Sequence, residues 1–470
     1  MREKSDRPIV AQRRGKPRGA KGPASKRFLE RNMRSTGGWE SMKSERQGIR
    51  ELSEKHGKLE TLMHYVSPEA LREEHRRQPK GKAVGIDGET KEGYEADLEG
   101  NIASLHARMR SFSYRPQPVR RAYIPKGNGK LRPLGIPAYE DRLVQGCMAR
   151  ILNEVYEPRF LGCSYGFREG RSAHDALREV NQILMTKRAN YVLDCDIEGF
   201  FDNVDHGWMM RFLANDITDR SFLRYVSRFL KAGVMEEGKR AESDRGTPQG
   251  GLISPVLANV YLHYALDLWA VKSAFPKLKG EAHLVRYADD FIVMFQHESE
   301  ARAFYEALKL RMARFGLKLA EDKTRILPFG RRKGTKETFD FLGFTHFNAR
   351  TRTGKYTVGH RVAKKKMKQK KENIKKWIKE NRTMPLASML RALNVKLVGT
   401  FRYYGISGMF EQVLRIYRYA KYTAYKWLNR RSQRRSFRYS DFLRTWEHYV
   451  ADPKVYTDIW GWKSETKSLV

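Results

Sequence analysis

Apolar positions recur at helical spacing over most of residues 45–115, broken once by the Gly-rich run KAVGIDGET (82–90). Two short strand-like runs follow within VRRAYIPKGNGKLRPLGIP (119–137). They flank Gly127-Asn128-Gly129, a hairpin signal with basic residues on both arms. From 138 to 345 helical and strand-like segments alternate irregularly, without a regular βαβ succession, and the pattern predicts an α+β fold. Two strand-like stretches in this region carry acids: YVLDCDIEGFFDNV (191–204) and RYADDFIVM (286–294). From 360 to 450 the pattern is helical again. Residues 1–40 are Gly- and Pro-rich with little apolar periodicity, and predict a leader that is disordered or ordered by RNA. A mitochondrial transit peptide fits this leader less well, because acids interrupt it. No internal repeat is visible.

Charge changes the picture more than composition does. The 470 residues carry 92 Lys and Arg against 54 Asp and Glu, a formal +38, which points to a polyanionic partner, most simply nucleic acid. A membrane surface is the rival, but no apolar run approaches 18 residues and no signal peptide opens the chain. Half of the excess lies in one fifth of the chain: between 360 and 450, 24 Lys and Arg face 5 Asp and Glu, a net of +19. That shift in charge marks a domain boundary. Cys147, Cys163 and Cys195 are far apart, with neither disulfide nor zinc spacing, and fit a reducing cytoplasm.

The acids raise the chemical question. Asp289 and Asp290 are adjacent in an apolar run, where like charges repel and unpaired burial costs several kcal/mol. Strand alternation puts Asp194 and Asp196 on one face, so either could join Asp289 beside a shared pair of metal ions. Mg²⁺ takes oxygen ligands, keeps several waters and binds through one or two carboxylates plus substrate phosphates. Two such ions roughly 3.5–4 Å apart can activate a 3′-hydroxyl and stabilise a leaving pyrophosphate.

YxDD alone is a weak signal; its company is specific. In order the chain offers YIPKGNGKLRPLGIP, SYGFREGRSAHDAL, DIEGFFDNV, GTPQGGLISPVLANVYL, RYADD, LKLAEDKT and FLGF (341–344). This series closely resembles the reverse transcriptases encoded by group II introns. FRYYGISGMF (401–410) and YKWLNRRSQRRSF (425–437) resemble the thumb, or maturase, region of the same family. The resemblance covers roughly 45–450. It implies a right-hand polymerase with a ferredoxin-like palm, fingers and a helical thumb. The expected division is a leader at 1–44, an N-terminal extension and the start of the fingers at 45–118, fingers and palm at 119–345, a helical thumb at 346–450 and a short tail at 451–470. With no His/Asn/Cys cluster after the thumb, the resemblance is to the bacterial type lacking an endonuclease domain, with a cytoplasmic location.

Carried over residue by residue, the resemblance makes Asp196, Asp289 and Asp290 the ligands of two Mg²⁺ ions, with the Ile197 carbonyl as an extra ligand. Asp194, Asp202 and Asp205 miss the catalytic position and are expected to be solvated or to cap turns. Lys126 and Arg132 match residues that hold the incoming triphosphate, a point charge and a planar fork suited to phosphate oxygens. Phe201 matches the position whose ring excludes a 2′-hydroxyl; from the residues alone it reads as an ordinary core aromatic, as Phe200 does. Gln249 matches a residue that contacts the nucleotide. Gly246, Gly250 and Gly251 would let template or nucleotide approach the backbone. Lys323 matches a general acid for the pyrophosphate, against the plainer reading of an ion-paired surface lysine. Two departures, Glu169 where the family often has Pro and Glu198 where Lys is frequent, touch none of these.

In the C-terminal region Arg402, Lys426, Arg430, Arg431, Arg434 and Arg435 are the expected RNA contacts. The aromatics between them, Phe401, Tyr403, Tyr404, Tyr417, Tyr419, Tyr422 and Trp427, are at helical spacing and read first as core. The function implied is RNA-directed DNA polymerisation from a DNA primer with dNTP substrates, together with binding of the parent intron RNA to assist its splicing and mobility. Two alternatives share most of these features: an intron-like reverse transcriptase serving DNA repair or phage defence, and a splicing factor that only binds RNA. The intact acids argue against the second, and Phe201 argues against an RNA-dependent RNA polymerase.

Overall fold

The computed structural model describes residues 47–55, 57–125, 131–236, 239–241, 245–247, 250–431 and 436–461. The leader, Lys126, Gln249, Arg434 and Arg435 lie outside the described residues.

Three sheets organise the chain. The expected hairpin is present as β1 (Val119–Pro125) and β2 (Leu131–Ile136), antiparallel, with Ile124 opposite Arg132; β4 (Val234–Glu236) and β5 (Lys239–Ala241) extend that sheet in the order β2-β1-β4-β5. The central sheet runs β6-β7-β3-β8, from β3 (Tyr191–Asp196), β6 (Ala282–Tyr287), β7 (Asp290–Phe295) and β8 (Arg325–Pro328), all pairs antiparallel. Its strands are apolar on both faces because both faces are covered. Leu193, Cys195, Phe291, Val293 and Phe295 join a core with the helices Tyr139–Tyr156, Ser254–Leu262 and Glu298–Arg314. Val192, Ile292, Met294 and Leu327 face the other way, into a second core shared with the helix Ala173–Thr186 and the C-terminal helices. Alternation along FIVMF thus ties the palm to both of its neighbours.

The helix Ala173–Thr186 starts at a capping box: Ser172 Oγ accepts from the Asp175 N–H, and Asp175 accepts from the Ser172 N–H. Beside the cap, His174 Nε2 bonds the Tyr403 carbonyl at 2.8 Å, docking the C-terminal region on the palm.

Two stretches are built differently from their pattern. The stretch after 346 does not begin as helix: β9 (Thr338–Phe341), β10 (Phe344–Arg350) and β11 (Tyr356–Val362) form a third sheet, and the helices Lys364–Asn381, Leu386–Tyr404, Phe410–Leu428 and Tyr439–Tyr449 follow it. The segment after 450 is docked as far as it is described. Ile459 is buried, and the Gly405 carbonyl accepts from the N–H groups of Tyr456 and Thr457.

Candidate active site

β3 and β7 run side by side so that Asp196, the last residue of β3, is directly opposite Asp290, the first of β7. Asp289 precedes it in the two-residue turn that closes the β6–β7 hairpin, where Tyr287 faces Asp290. The other turn residue, Ala288, is left-handed (φ 59°), a conformation that costs a non-Gly residue roughly 1–2 kcal/mol. Side-chain alternation keeps Asp194 and Asp196 half-exposed on one face while Leu193 and Cys195 are buried on the other.

The acids repel one another. Burial pushes the Asp290 carboxyl up to about 7, with Asp194, Asp289 and Asp196 adding to it; the Leu342 N–H, bonded to that carboxyl, pulls the other way. Burial also raises Asp289, Asp196 adds to this, and the charges of Arg132 and Arg286 oppose it. Asp194 rises to about 6, chiefly by burial and against Arg325, which sits 3.6 Å away. Asp194 is therefore neither a solvated acid nor a cap but a half-buried ion-pair partner. Asp205 does cap: its Oδ1 accepts from the Trp208 N–H at 2.8 Å, at the start of the helix His206–Asp216. Lys323 Nζ donates to Asp196 Oδ2 at 2.6 Å, which raises the lysine's own pKa. The bridge between Ile197 and Leu319 uses the Asp196 carbonyl and the Glu198 N–H, and leaves the Ile197 carbonyl out of it.

An all-oxygen set of mutually repelling carboxylates at a strand end suits a hard divalent cation. Among the described residues no three acidic, His or Cys side chains close around a metal by themselves. Such an open set fits an ion that also takes substrate phosphate oxygens.

Phe201 is one wall of a cleft of about 410 Å³ that also involves Arg121, Tyr123, Asp202, Arg245 and Thr247. Phe200, beside it, is in the core against Tyr261. The Phe201 carbonyl accepts from the Thr247 N–H at 2.7 Å, which fixes the loop before Gln249 against the start of the helix Phe200–Asn203. Two glycines of that loop pack closely on the chain itself: a Cβ at Gly246 (φ 88°) would lie 3.0 Å from the Asp202 carbonyl oxygen, and one at Gly250 (φ 117°) 2.3 Å from the Gly135 carbonyl oxygen on β2.

On the opposite side, Asp290 opens on a second cleft, of about 500 Å³, bounded by Leu342, Gly343, Lys366, Lys370, Tyr403 and Tyr404. Leu342 is left-handed (φ 51°), and Tyr403 Oη donates to its carbonyl at 2.8 Å. The turn in FLGF therefore receives a bond from a thumb helix and gives one to an active-site acid. Tyr403 reads from the sequence only as a core aromatic of the thumb, and Arg286 does not stand out. For Arg286 a signal existed: it is a charge two residues after Leu284 on a buried strand face.

Residues 124–346 match the family described as "Reverse transcriptase (RNA-dependent DNA polymerase)". The chain is 32% identical over 343 residues to protein YkfC of Escherichia coli K12, covering 66% of this chain and 88% of that protein. The chain belongs to the reverse transcriptase family. It is also 41% identical over 180 residues to the group II intron-encoded protein LtrA of Lactococcus lactis subsp. cremoris, covering 38% of this chain and 29% of LtrA. A 91 kDa protein in the cob intron of Schizosaccharomyces pombe is 35% identical over 179 residues, covering 38% of this chain and 22% of that protein. The chain thus spans under a third of either intron-encoded relative. All the polymerase residues named from the sequence, Lys126 to Lys323, fall inside the matched 124–346, whereas the thumb residues lie beyond it.

The thumb is basic on its surface and apolar inside. Phe401, Tyr404 and Tyr417 are buried, as their spacing predicts; Tyr422 is exposed. Arg402, Lys426 and Arg430 are exposed, whereas Arg431 is half-buried and gives a bond to the Met384 carbonyl at 3.1 Å. Lys379, Arg382 and Arg430 each lie about 5.5 Å from the Trp427 ring, whose face attracts cations. No helix among the described residues is long and apolar enough to cross a membrane.

Proposed function

We propose that this reverse transcriptase extends a primer 3′-hydroxyl along an RNA template with Asp196, Asp289 and Asp290 as its metal-holding acids, and that its thumb binds the parent group II intron RNA to assist splicing and mobility. The observation that carries the first part is the register: Asp196 and Asp290 are opposite each other, with Asp289 one residue away in the turn. Mg²⁺ held there would lower the pKa of the attacking hydroxyl and neutralise charge on the leaving pyrophosphate. Lys126 and Arg132 bind the triphosphate, and the charge of Arg132 already acts on Asp289. The Phe201 ring excludes a 2′-hydroxyl by shape, and Gln249 touches the nucleotide. Lys323, charged and beside Asp196, donates the proton that the leaving pyrophosphate needs. Support for the second part is the likeness to LtrA and the exposed cations around Trp427.

Asp289→Ala tests the site. Loss of a metal-holding carboxylate removes both nucleophile activation and charge stabilisation, so cDNA synthesis on a primed RNA should fall by at least ~10³-fold. Activity within tenfold of wild type contradicts the assignment.

A further inference from the structure

The most completely bonded side chain in the palm touches neither the acids' carboxyl groups nor either cleft. Arg286, on β6, is fully buried, as is its partner Asp267. Its guanidinium has five N–H donors, and all five are used. Nε donates to Asp267 Oδ1 at 2.8 Å and Nη2 to Asp267 Oδ2 at 2.5 Å. The second Nη2 hydrogen goes to Ser164 Oγ at 2.7 Å. Nη1 serves the Asn259 side-chain oxygen at 3.0 Å and the Ala288 carbonyl at 2.9 Å.

Those acceptors come from three separate pieces of chain, the helix bearing Asn259 running on without a break to Asp267. Ser164 is in the loop before the helix Ala173–Thr186, and Asn259 is in the helix Ser254–Leu262. Asp267 ends a π-helical turn, His263–Asp267, a rare form that often marks functional positions. Ala288 is the left-handed residue immediately before Asp289. The same loop grips the turn a second time. Asn259 Nδ2 holds the Gly166 carbonyl at 2.7 Å, and Gly166 is so close to the turn that a Cβ there would lie 2.4 Å from the Ala288 nitrogen. The backbone of Arg286 is paired too: its N–H donates to the Cys163 carbonyl and its carbonyl accepts from the Tyr165 N–H, both at 2.8 Å.

A buried ion pair is weak evidence for stability, since apolar residues of the same volume often do as well. What apolar residues cannot do is draw a carbonyl inward. Left-handed conformations of residues other than glycine persist where their surroundings over-determine them, and they cluster at active sites. We propose that Arg286 is a positioning residue for polymerisation: by holding the Ala288 carbonyl it fixes the turn in the left-handed conformation that sets the direction of Asp289. Ser164, Asn259 and Asp267 hold the guanidinium in the one orientation that reaches that carbonyl. This rests on the reading of Asp289 as a metal-holding acid.

R286K is the central variant, because an ammonium keeps the charge yet supplies three donors from a single point. A misplacement of about 1 Å near reacting groups can cost ~10²-fold in rate. R286K should therefore lower kcat by about that factor, with KM for dNTP and the Kd for primer–template within about twofold of wild type. R159K is the control: Arg159 bonds Asp216 at 2.5 Å in a largely buried pair, its bonds going to Ser53, Asp216 and Gly57 and none to the turn, so it should lower the unfolding midpoint and leave kcat unchanged. If R286K does not fold, S164A decides, since it removes one acceptor and nothing else. It should lower kcat several-fold for a smaller loss of unfolding midpoint than R159K shows. A folded R286K with kcat within threefold of wild type overturns the proposal. So does an S164A that loses kcat and midpoint in the same proportion as R159K. An active Asp289→Ala would instead remove the underlying assignment, whereas an inactive Asp289→Ala beside an active R286K removes this inference alone.

Discussion

Arg286 and Arg430 are the same residue type in opposite circumstances. Arg286 is fully buried, with every donor committed to a named acceptor on another part of the chain. Arg430 is exposed at the end of a thumb helix, its guanidinium over the Trp427 ring among other cations. In the palm, positive charge is directional: it fixes one carbonyl, and neither number nor position can be traded. On the thumb it is a density, in which each cation neutralises about one phosphate and neighbours can substitute for one another. Palm variants should therefore change rates or selectivity with little dependence on salt. Thumb variants should change affinity and its salt dependence.

Beyond the acids and Arg286, the largest departure from wild type is expected at Phe201. Phe201→Val opens the wall of the 410 Å³ cleft, and discrimination against ribonucleotides, read as the ratio of kcat/KM for the two sugars, should fall about 10–100-fold at every salt concentration. Phe201 is also a buried member of the core, and an unchanged ratio would leave it with that role alone.

Acid should act between the two regions, in the third sheet. His346 and His360 face each other across β10 and β11 with ring centroids 4.8 Å apart, and neither ring finds a hydrogen-bond partner among the described residues. Burial lowers His360 to about 4 and His346 well below the usual range. Unfolded histidines take up protons below about pH 6.5, which the folded rings refuse. The histidines' contribution to stability is thus full above that pH and is lost as pH drops towards 4, on the order of 2 kcal/mol for His360 alone at pH 5. The raised carboxyls of Asp290 and Asp194 contribute in the opposite direction. The midpoint of urea unfolding at pH 7 and pH 5 checks this, and His360→Phe should be destabilised less by acid than wild type. A pH 7-to-pH 5 change that His360→Phe leaves as it is in wild type contradicts it.

Tyr403→Phe is the mildest change. It removes the bond to the Leu342 carbonyl, worth about 1 kcal/mol, and with it the link from a thumb helix to the turn that bonds Asp290. A several-fold loss of kcat with unchanged RNA affinity is expected; lower RNA affinity with unchanged kcat would place Tyr403 with the surface cations.

The parts of this comparison were unequally legible. The acids stand in a motif whose order is diagnostic, and alternation along YVLDCD correctly placed Asp194 and Asp196 on one face. The arrangement around Arg286 could not be read, because Ser164 is 122 residues away in sequence and only the fold brings it within bonding distance. The third sheet was missed because FTHFNAR and YTVGHRV carry His and Thr at inward positions. His346, His360 and Thr345 are buried, so the apolar alternation that marks a strand is absent. The segment after 450 looks like a tail because its apolar residues follow neither helical nor strand periodicity; it is fixed instead by bonds to Gly405 and Ser407.

The division between the two regions is tested most directly by salt. The affinity of the protein for RNA transcribed from the DNA flanking its own coding region is measured from low to moderate salt. Three proteins are compared: wild type, the triple variant Arg402→Gln, Lys426→Gln, Arg430→Gln, and Asp289→Ala. Each lost phosphate contact reduces the log–log slope by about 0.7–0.9, so the triple variant should be shallower by about 2 while keeping its rate of cDNA synthesis on a saturating primed template. Asp289→Ala should keep the wild-type slope and affinity and lose cDNA synthesis. A triple variant with the wild-type slope, or an Asp289→Ala protein that binds this RNA more weakly, would contradict the division of catalysis and RNA binding between palm and thumb.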